Sequence, residues 1–294
     1  MCNLSMKILS TVHVFYPEFW PELGRCLRNV CAPCDIVATV PEGAAFADDI
    51  RRDFPDARIL FCENRGFDVW PFLKSIDEVG LDGYTHILKL HTKRDVLTDP
   101  PTTFNDFNYG GPRWRRALLS FLADKSAFEK CRALFERDRS VSMIAGRDVI
   151  VRRRDVGHPD VQKTFDEAIS YAAEKFGLRP TKPEFVAGTM FLTKAEVFRP
   201  FVGRFSASDF VQSVKDDRVV TLAHLLERAF GFSACAAGRI ADPDDSMRWR
   251  HMRSDLSYAM KATARFLYQS KTTRSGARMT KICRVPVWHS APKQ

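Results

Sequence analysis

No stretch of this 294-residue chain approaches the roughly 18 to 20 consecutive apolar residues that a membrane-spanning helix needs. The start of the sequence lacks a basic segment followed by a long apolar run and a small-residue cleavage site, so a cytosolic chain is expected. Without an export signal, the eight scattered cysteines are expected as reduced thiols rather than as a disulfide framework. Cys31 and Cys34 form one CxxC, but no second CxxC or spaced histidine pair follows, and a structural zinc needs four ligands. Internal repeats and low-complexity segments are also lacking. With 45% hydrophobic residues, the chain has the composition of a packed protein of one large or two modest domains.

The net charge of +9 is unevenly placed. Ser246 to Gln294 holds eleven Lys or Arg and one acid, Asp255, leaving 34 basic and 35 acidic residues before it. A near-neutral domain over residues 1–245 and a basic extension over 246–294 are expected. That distribution argues against a nucleic-acid-binding core, whose basic patch would be built into the folded domain, and no nucleic-acid partner is expected.

Between residues 7 and 91, apolar runs (KILSTVHVF, DIVATV, ARILFCEN, THILKLH) alternate with amphipathic segments. This is the pattern of an α/β fold with a mostly parallel central sheet flanked by helices. Ligands of such sheets bind beyond the carboxyl ends of the strands, which directs attention to His13 to Tyr16, Asn64 to Asp68 and His91 to Asp95. VLTDPPTTFNDFNYGGP reads as a long loop. Helices are predicted near Arg113 to Asp124, Ala127 to Arg137 and Val161 to Phe176, with a strand at SVSMIAG. FVAGTMFLTKAEVF reads as a strand leading through Gly188 into a helix, and VVTLAHLLERAFG as a helix stopped by Gly231.

In ILKLHTKRD, strand alternation projects Lys89, His91 and Lys93 to one face. On a solvated edge strand they would be snorkelling side chains. On a central strand, as Ile87, Leu88 and Leu90 suggest, an anion or carboxylate must meet them. In ENRGFDVWPFL, Asn64 and Gly66 tolerate positive φ, and Asp68 has the place of an N-cap before Pro71. Such a turn either is simply capped or approaches a nucleotide through its backbone amides.

NRGFDVWPFL, YTHILKLHTKRD, WRRALLSFL, FVAGTMFLTKAEVF and TLAHLLERAFG occur in the order and approximate spacing of the rhamnan synthesis protein F family, which the chain resembles over residues 7 to 235. The resemblance implies a GT-A-like glycosyltransferase of cell-surface polysaccharide assembly. It further implies a nucleotide-sugar donor such as dTDP-rhamnose and a glycan or lipid-linked acceptor. One departure is DRVVTLAH where family members often read DGTLAH, so Asp216 and Asp217 are both candidates for the family's aspartate.

Many GT-A enzymes hold a divalent ion with an Asp-x-Asp after the fourth strand, where this chain has KLHTKRD. Cationic side chains can neutralise a diphosphate leaving group in its place. On that reading Lys89, His91 and Lys93, with Thr92 in the same segment, face the diphosphate, while Asn64, Arg65, Gly66 and Asp68 surround the nucleoside. The variant with a magnesium or manganese ion rests on Asp95. The Asp-x-Asp at Asp242 to Asp244 is expected to be a decoy. Inverting transfer needs a base for the acceptor hydroxyl, for which Asp217, Asp216 and His224 are the candidates. Glu227 and Arg228, at i+3 and i+4 from His224, either support the site or only brace the helix. Gly188 and Thr189 would let the acceptor approach the backbone.

In the extension, Met252, Leu256, Ala259, Met260, Thr263 and Leu267 recur at helical spacing opposite Arg250, Ser254, Ser257, Lys261 and Arg265. This basic helical tail suits an anionic membrane surface and peripheral attachment, or else packing on the body. The competing function is a nucleotide- or glycan-binding module that kept the fold without turnover.

Overall fold

Four of the apolar runs pair in parallel: β1 (Ile8–His13), β2 (Cys34–Pro41), β3 (Arg58–Cys62) and β4 (His86–His91). Helices α1 (Trp20–Leu27), α2 (Ala47–Asp53) and α3 (Val69–Val79) lie in the crossovers between them. The computed structural model describes residues 6–94, 103–104, 107–108, 112–153, 156, 159–212, 220–246, 260, 263, 268–272, 278–282 and 285–289. The chain divides into two compact units, Met1–Asp245 and Ser246–Gln294.

In the first unit, α4 (Pro112–Leu118) and α5 (Lys125–Arg137) lead to strand β5 (Val141–Ile144). Strand β6 (Ile150–Arg152), helix α6 (Pro159–Phe176) and strand β7 (Glu184–Val186) follow, with β6 and β7 forming a separate antiparallel pair. Next come β8 (Phe191–Lys194), helix α7 (Leu222–Ala237) and β9 (Arg239–Ala241). The seven-stranded sheet has the order β9-β5-β8-β4-β1-β2-β3, in which only β8 runs against its neighbours. β4 is therefore central, and Ile87, Leu88 and Leu90 are buried in it.

Helix α3 buries Val69, Phe72, Leu73 and Ile76, an i, i+3, i+4, i+7 stripe. Each such side chain contributes about 1.5–3 kcal/mol by leaving water. Phe72 meets Phe198 at 4.8 Å between ring centroids, and Phe198 meets Phe230 of α7 at 5.0 Å. Aromatic packing thus joins α3 to α7.

Two segments differ from their sequence reading. FVAGTMFLTKAEVF is two short strands, β7 and β8, separated by Gly188 and Thr189 at φ 76° and 48°; a left-handed pair cannot continue a strand. Its last part is a 3₁₀ helix, Ala195–Phe201, with Pro200 inside. Helix α7 does not stop at Gly231 but runs to Ala237. Gly231 is there for proximity: a Cβ would stand 2.4 Å from both Glu184 O and Phe185 Cα.

The second unit contains a three-stranded antiparallel sheet that the sequence reading missed: β10 (Tyr268–Thr272), β11 (Arg278–Ile282) and β12 (Val285–His289). The helix expected from Met252 to Leu267 lies outside the described residues except at Met260 and Thr263. So does most of the loop after Arg94, in which Thr103–Phe104 pairs with Phe107–Asn108. Among the described residues no helix is long and apolar enough to cross a membrane.

Candidate functional site

His13 stands opposite His91 at the carboxyl ends of β1 and β4. Because β2 lies on one side of β1 and β4 on the other, these ends form the switch-point crevice where open α/β sheets bind ligands. Thr92 ties the crevice together. Its hydroxyl accepts from the amides of Phe15 (2.9 Å) and Tyr16 (3.0 Å), and its amide donates to His13 O (2.9 Å).

The three basic positions of β4 meet different surroundings. Lys89 is 1% exposed, and its Nζ donates to Asp68 Oδ2 (2.5 Å), Thr189 Oγ1 (2.7 Å) and Thr189 O (3.1 Å). All three ammonium hydrogens have partners, so its anion is a carboxylate of the protein itself. His91 is also buried, with Nε2 2.8 Å from Gly188 O and 3.8 Å from Asp68 Oδ1, and Nδ1 3.1 Å from Thr92 O. Lys93, beyond the strand end, is half-buried. Arg94 is exposed and stacks over the Tyr16 ring at 4.5 Å.

Asp68 occupies the N-cap position of α3, yet its side chain makes no cap hydrogen bond. It accepts instead from Lys89 and from the Thr189 hydroxyl. Burial pushes its pKa up, but the charges of His91 and Lys89 and these hydrogen bonds outweigh that, holding the carboxyl well below the usual carboxylate range. Burial pushes Lys89 and His91 down, and the Asp68 charge opposes this in both.

On the far side of the Gly188–Thr189 turn, Glu227 Oε1 accepts from Gly188 N at 2.8 Å. Arg228 Nη1 donates to Glu227 Oε2 (3.2 Å) and to His224 O (2.7 Å), and its guanidinium lies 4.8 Å from the Phe185 ring centroid. His224 Nδ1 accepts from Thr221 N (3.2 Å) and lies 2.9 Å from Thr221 Oγ1, and its ring stands edge-on to Phe67 at 5.6 Å. His224 and Thr221 thus form the capping box at the start of α7.

Two left-handed turns flank this network. Gly66 and Phe67 have φ of 59° and 54°, beside Gly188 and Thr189. For Phe67 and Thr189 that conformation costs of order 1–3 kcal/mol each, and it persists only where the surroundings enforce it.

A cleft of about 370 Å³ opens beyond β2 and β3, lined by Pro41, Glu42, Cys62, Glu63, Asn64, Arg65 and Gln212. Arg65 is held by Glu63 (Nε to Oε2, 2.7 Å) and by Phe210 O (Nη1, 3.0 Å), and it forms an antiparallel bridge with Gln212. Gly66 N donates to Val211 O at 3.2 Å.

The structure thus brings the buried Lys89, His91, Thr189 and Arg228 and the half-buried Asp68, Gly188 and Glu227 into one network, and sets Asn64 and Arg65 in a separate cleft. Asp95, Asp216 and Asp217 lie outside the described residues. Among the described residues, no three His, Cys, Asp or Glu side chains cluster as metal ligands. Asp242 is 1% exposed and accepts from Asp244 N at 3.1 Å, and Asp244 pairs with Lys130 at 2.7 Å. Two contributors carry little or no signal of their role in the sequence. His13, whose Nδ1 is 3.0 Å from Thr39 Oγ1, was only flagged by its place at a strand end. The 210–212 segment gave no signal, because its partners are distant in sequence.

Stability should depend on pH through two neutral imidazoles. Burial lowers His13 from 6.5 to about 3, with Asp68 opposing and His91 and Lys89 assisting, and burial with the Lys194 charge lowers His86 to about 4. Below about 6.5 the unfolded chain takes up protons that the folded chain refuses. Their contribution is whole above that pH and is lost as pH falls toward 4 and then 3. Thermal melts should show a midpoint that is level above pH 7 and declines steadily below 6.5. A midpoint unchanged from pH 7 to 4.5 would show both rings to be protonated in the folded chain.

The profile described as rhamnan synthesis protein F matches residues 2–239. Among curated proteins, the chain is 25% identical over 245 residues to "Uncharacterized protein WxcX" of Xanthomonas campestris pv. campestris strain B100, covering 81% of this chain and 32% of that protein. The protein of the same description from strain ATCC 33913 matches with the same identity and coverage. The chain therefore spans about a third of the length of these relatives. Among solved structures, a 4-diphosphocytidyl-2C-methyl-D-erythritol synthase superposes with a TM-score of 0.34 and 14% identity over 70% of this chain and 83% of that one, a likeness too slight to argue from.

Proposed function

Because this chain belongs to the rhamnan synthesis protein F family, we propose that it is a glycosyltransferase that moves rhamnose or a similar sugar from a nucleotide-sugar donor to a glycan or lipid-linked glycan acceptor. The observation that carries this reading is the row of features along the carboxyl edge of the parallel strands. The cleft of about 370 Å³ beyond β2 and β3 is in the size range of small-ligand sites. Lys93 stands at the end of β4, three strand positions from β3. At roughly 4.8 Å per strand, that separation is about 14 Å, comparable to an extended nucleoside diphosphate.

In this reading the nucleoside enters the cleft at Asn64 and Arg65, and the diphosphate runs along the strand ends toward Lys93. Lys89 and His91 act from beneath, not by contact. The acceptor hydroxyl oxygen attacks the anomeric carbon as the bond from that carbon to the diphosphate oxygen breaks. Lys93 offsets the charge left on the diphosphate. The hydroxyl proton goes to a carboxylate, for which Asp216 and Asp217 are the candidates. His224, whose Nδ1 accepts from Thr221 N, has Nε2 left to meet an oxygen of donor or acceptor.

Lys93→Ala should weaken binding of a nucleoside diphosphate such as dTDP by about 10- to 100-fold, the loss of one charge-assisted hydrogen bond. The free nucleoside should bind as before, and the melting temperature should hold. Calorimetric titration with both ligands checks this. An equal loss for nucleoside and nucleoside diphosphate would remove Lys93 from the diphosphate site. For the reaction itself, the chain should be offered a panel of nucleotide sugars with EDTA or Mg²⁺. Tight binding without hydrolysis or transfer on any of them would favour a binding module.

A further inference from the structure

We infer that Lys89 is a positioning residue whose buried ammonium locks the left-handed Gly66–Phe67 and Gly188–Thr189 turns to each other. The two turns come from distant parts of the chain, and Lys89 lies between them on the central strand. Its Nζ grips the second turn directly, through Thr189 O (3.1 Å) and Oγ1 (2.7 Å). It grips the first through Asp68 Oδ2 (2.5 Å), the residue that follows Phe67. The Thr189 hydroxyl donates to the same carboxylate oxygen and closes a three-membered ring of contacts.

Stability alone does not explain this arrangement. Buried ion pairs are often replaceable by apolar side chains of similar volume with no loss of stability. What an apolar pair could not do is hold two strained backbones in register. Thr189, 2% exposed at φ 48°, and Phe67, at φ 54°, need something to enforce conformations that β-branched and bulky residues disfavour. Neighbouring contacts fix the outer side of each turn. Glu227 holds Gly188 N, and Val211 O holds Gly66 N. Among the described residues the Asp68, Lys89 and Thr189 contacts join one turn to the other directly, and His91 adds a longer bridge, with Nε2 2.8 Å from Gly188 O and 3.8 Å from Asp68 Oδ1.

On the glycosyl-transfer reading, on which this part of the inference rests, the first turn adjoins the nucleoside cleft and the second adjoins the acceptor side. The lock then sets the distance between donor and acceptor, without touching either. Displacement of reacting groups by about 1 Å can slow transfer by about a hundredfold.

The test uses the full chain with Asp68→Leu/Lys89→Met, which removes both charges at once, beside Lys89→Met alone. Hydrogen exchange is followed peptide by peptide. The expected result for the double variant is exchange faster by about tenfold or more in residues 64–70 and 186–190 together, with β1, β2 and β3 as protected as before. Nucleoside diphosphate affinity should change by less than about threefold, while kcat for the donor falls by about a hundredfold at nearly constant KM. Unchanged exchange in either turn of a folded double variant would overturn the lock. So would a double variant that cannot fold, since the pair would then serve the fold itself. If the wild-type chain turns over no nucleotide sugar, the transfer reading fails by itself and the exchange result still decides the lock.

Discussion

Asp68→Ala is expected to destabilise the chain by about 3–5 kcal/mol, the usual penalty for leaving one member of a buried ion pair alone. Lys89 is 1% exposed and the Asp68 side chain 18%, so the ammonium depends on that carboxylate as its charge partner. Thr189 offers two oxygens but no negative charge. Burial already pushes the Lys89 pKa down, and the Asp68 charge is the largest effect opposing it. Without that charge Lys89 must either stay charged in a dry site or release its proton, and both weaken folding. For a unit of this size, such a loss lowers the melting temperature by roughly 6–20 °C. Adding Lys89→Met to the Asp68 substitution should recover most of it. Calorimetry on the three proteins decides the matter: an Asp68→Ala chain melting within about 2 °C of wild type would show that the charge is relieved elsewhere.

The second large effect belongs to Gly231, inside α7. Helix propensity alone favours Gly231→Ala by about 1 kcal/mol. The new Cβ, however, would stand 2.4 Å from Glu184 O and Phe185 Cα and 2.8 Å from Phe185 Cβ. The first two are backbone atoms of β7 and cannot rotate away, so helix and strand must separate. Overpacking of this kind costs about 1–3 kcal/mol, which exceeds the propensity gain. A net loss of up to about 2 kcal/mol is expected for Ala and a larger one for Val, read from urea denaturation midpoints. The separation should also loosen the site, because Glu227, one turn earlier on α7, holds Gly188 N beyond the end of β7. An Ala variant more stable than wild type would mean that β7 yields and propensity prevails.

Much of the fold was legible because its signals are local. Alternating apolar runs marked β1 to β4, and Asp68 before Val-Trp-Pro-Phe marked the start of α3. The turn at Gly188 was half-read: glycine announced a break, but not the left-handed Thr189 after it. Gly231 misled for the opposite reason. A glycine near the end of a periodic segment reads as a stop, whereas here it lets a helix lie against a strand. The three strands after Leu267 went unread beneath the helical period expected before them.

Of the site, the sequence by itself determined which residues are chemically equipped and which way they point. Strand alternation requires Lys89 and His91 to share a face, whatever surrounds them. Only the tertiary structure decided what they meet. Depth in the sheet, the cover of the Gly188–Thr189 turn and the approach of Asp68 are pairings between distant segments, and no local pattern encodes them. The physical reason is desolvation: an ammonium left in water has no need of a partner, whereas the same group 1% exposed must be met by a carboxylate. The burial that creates this need comes from elements of the fold far from Lys89 in the chain.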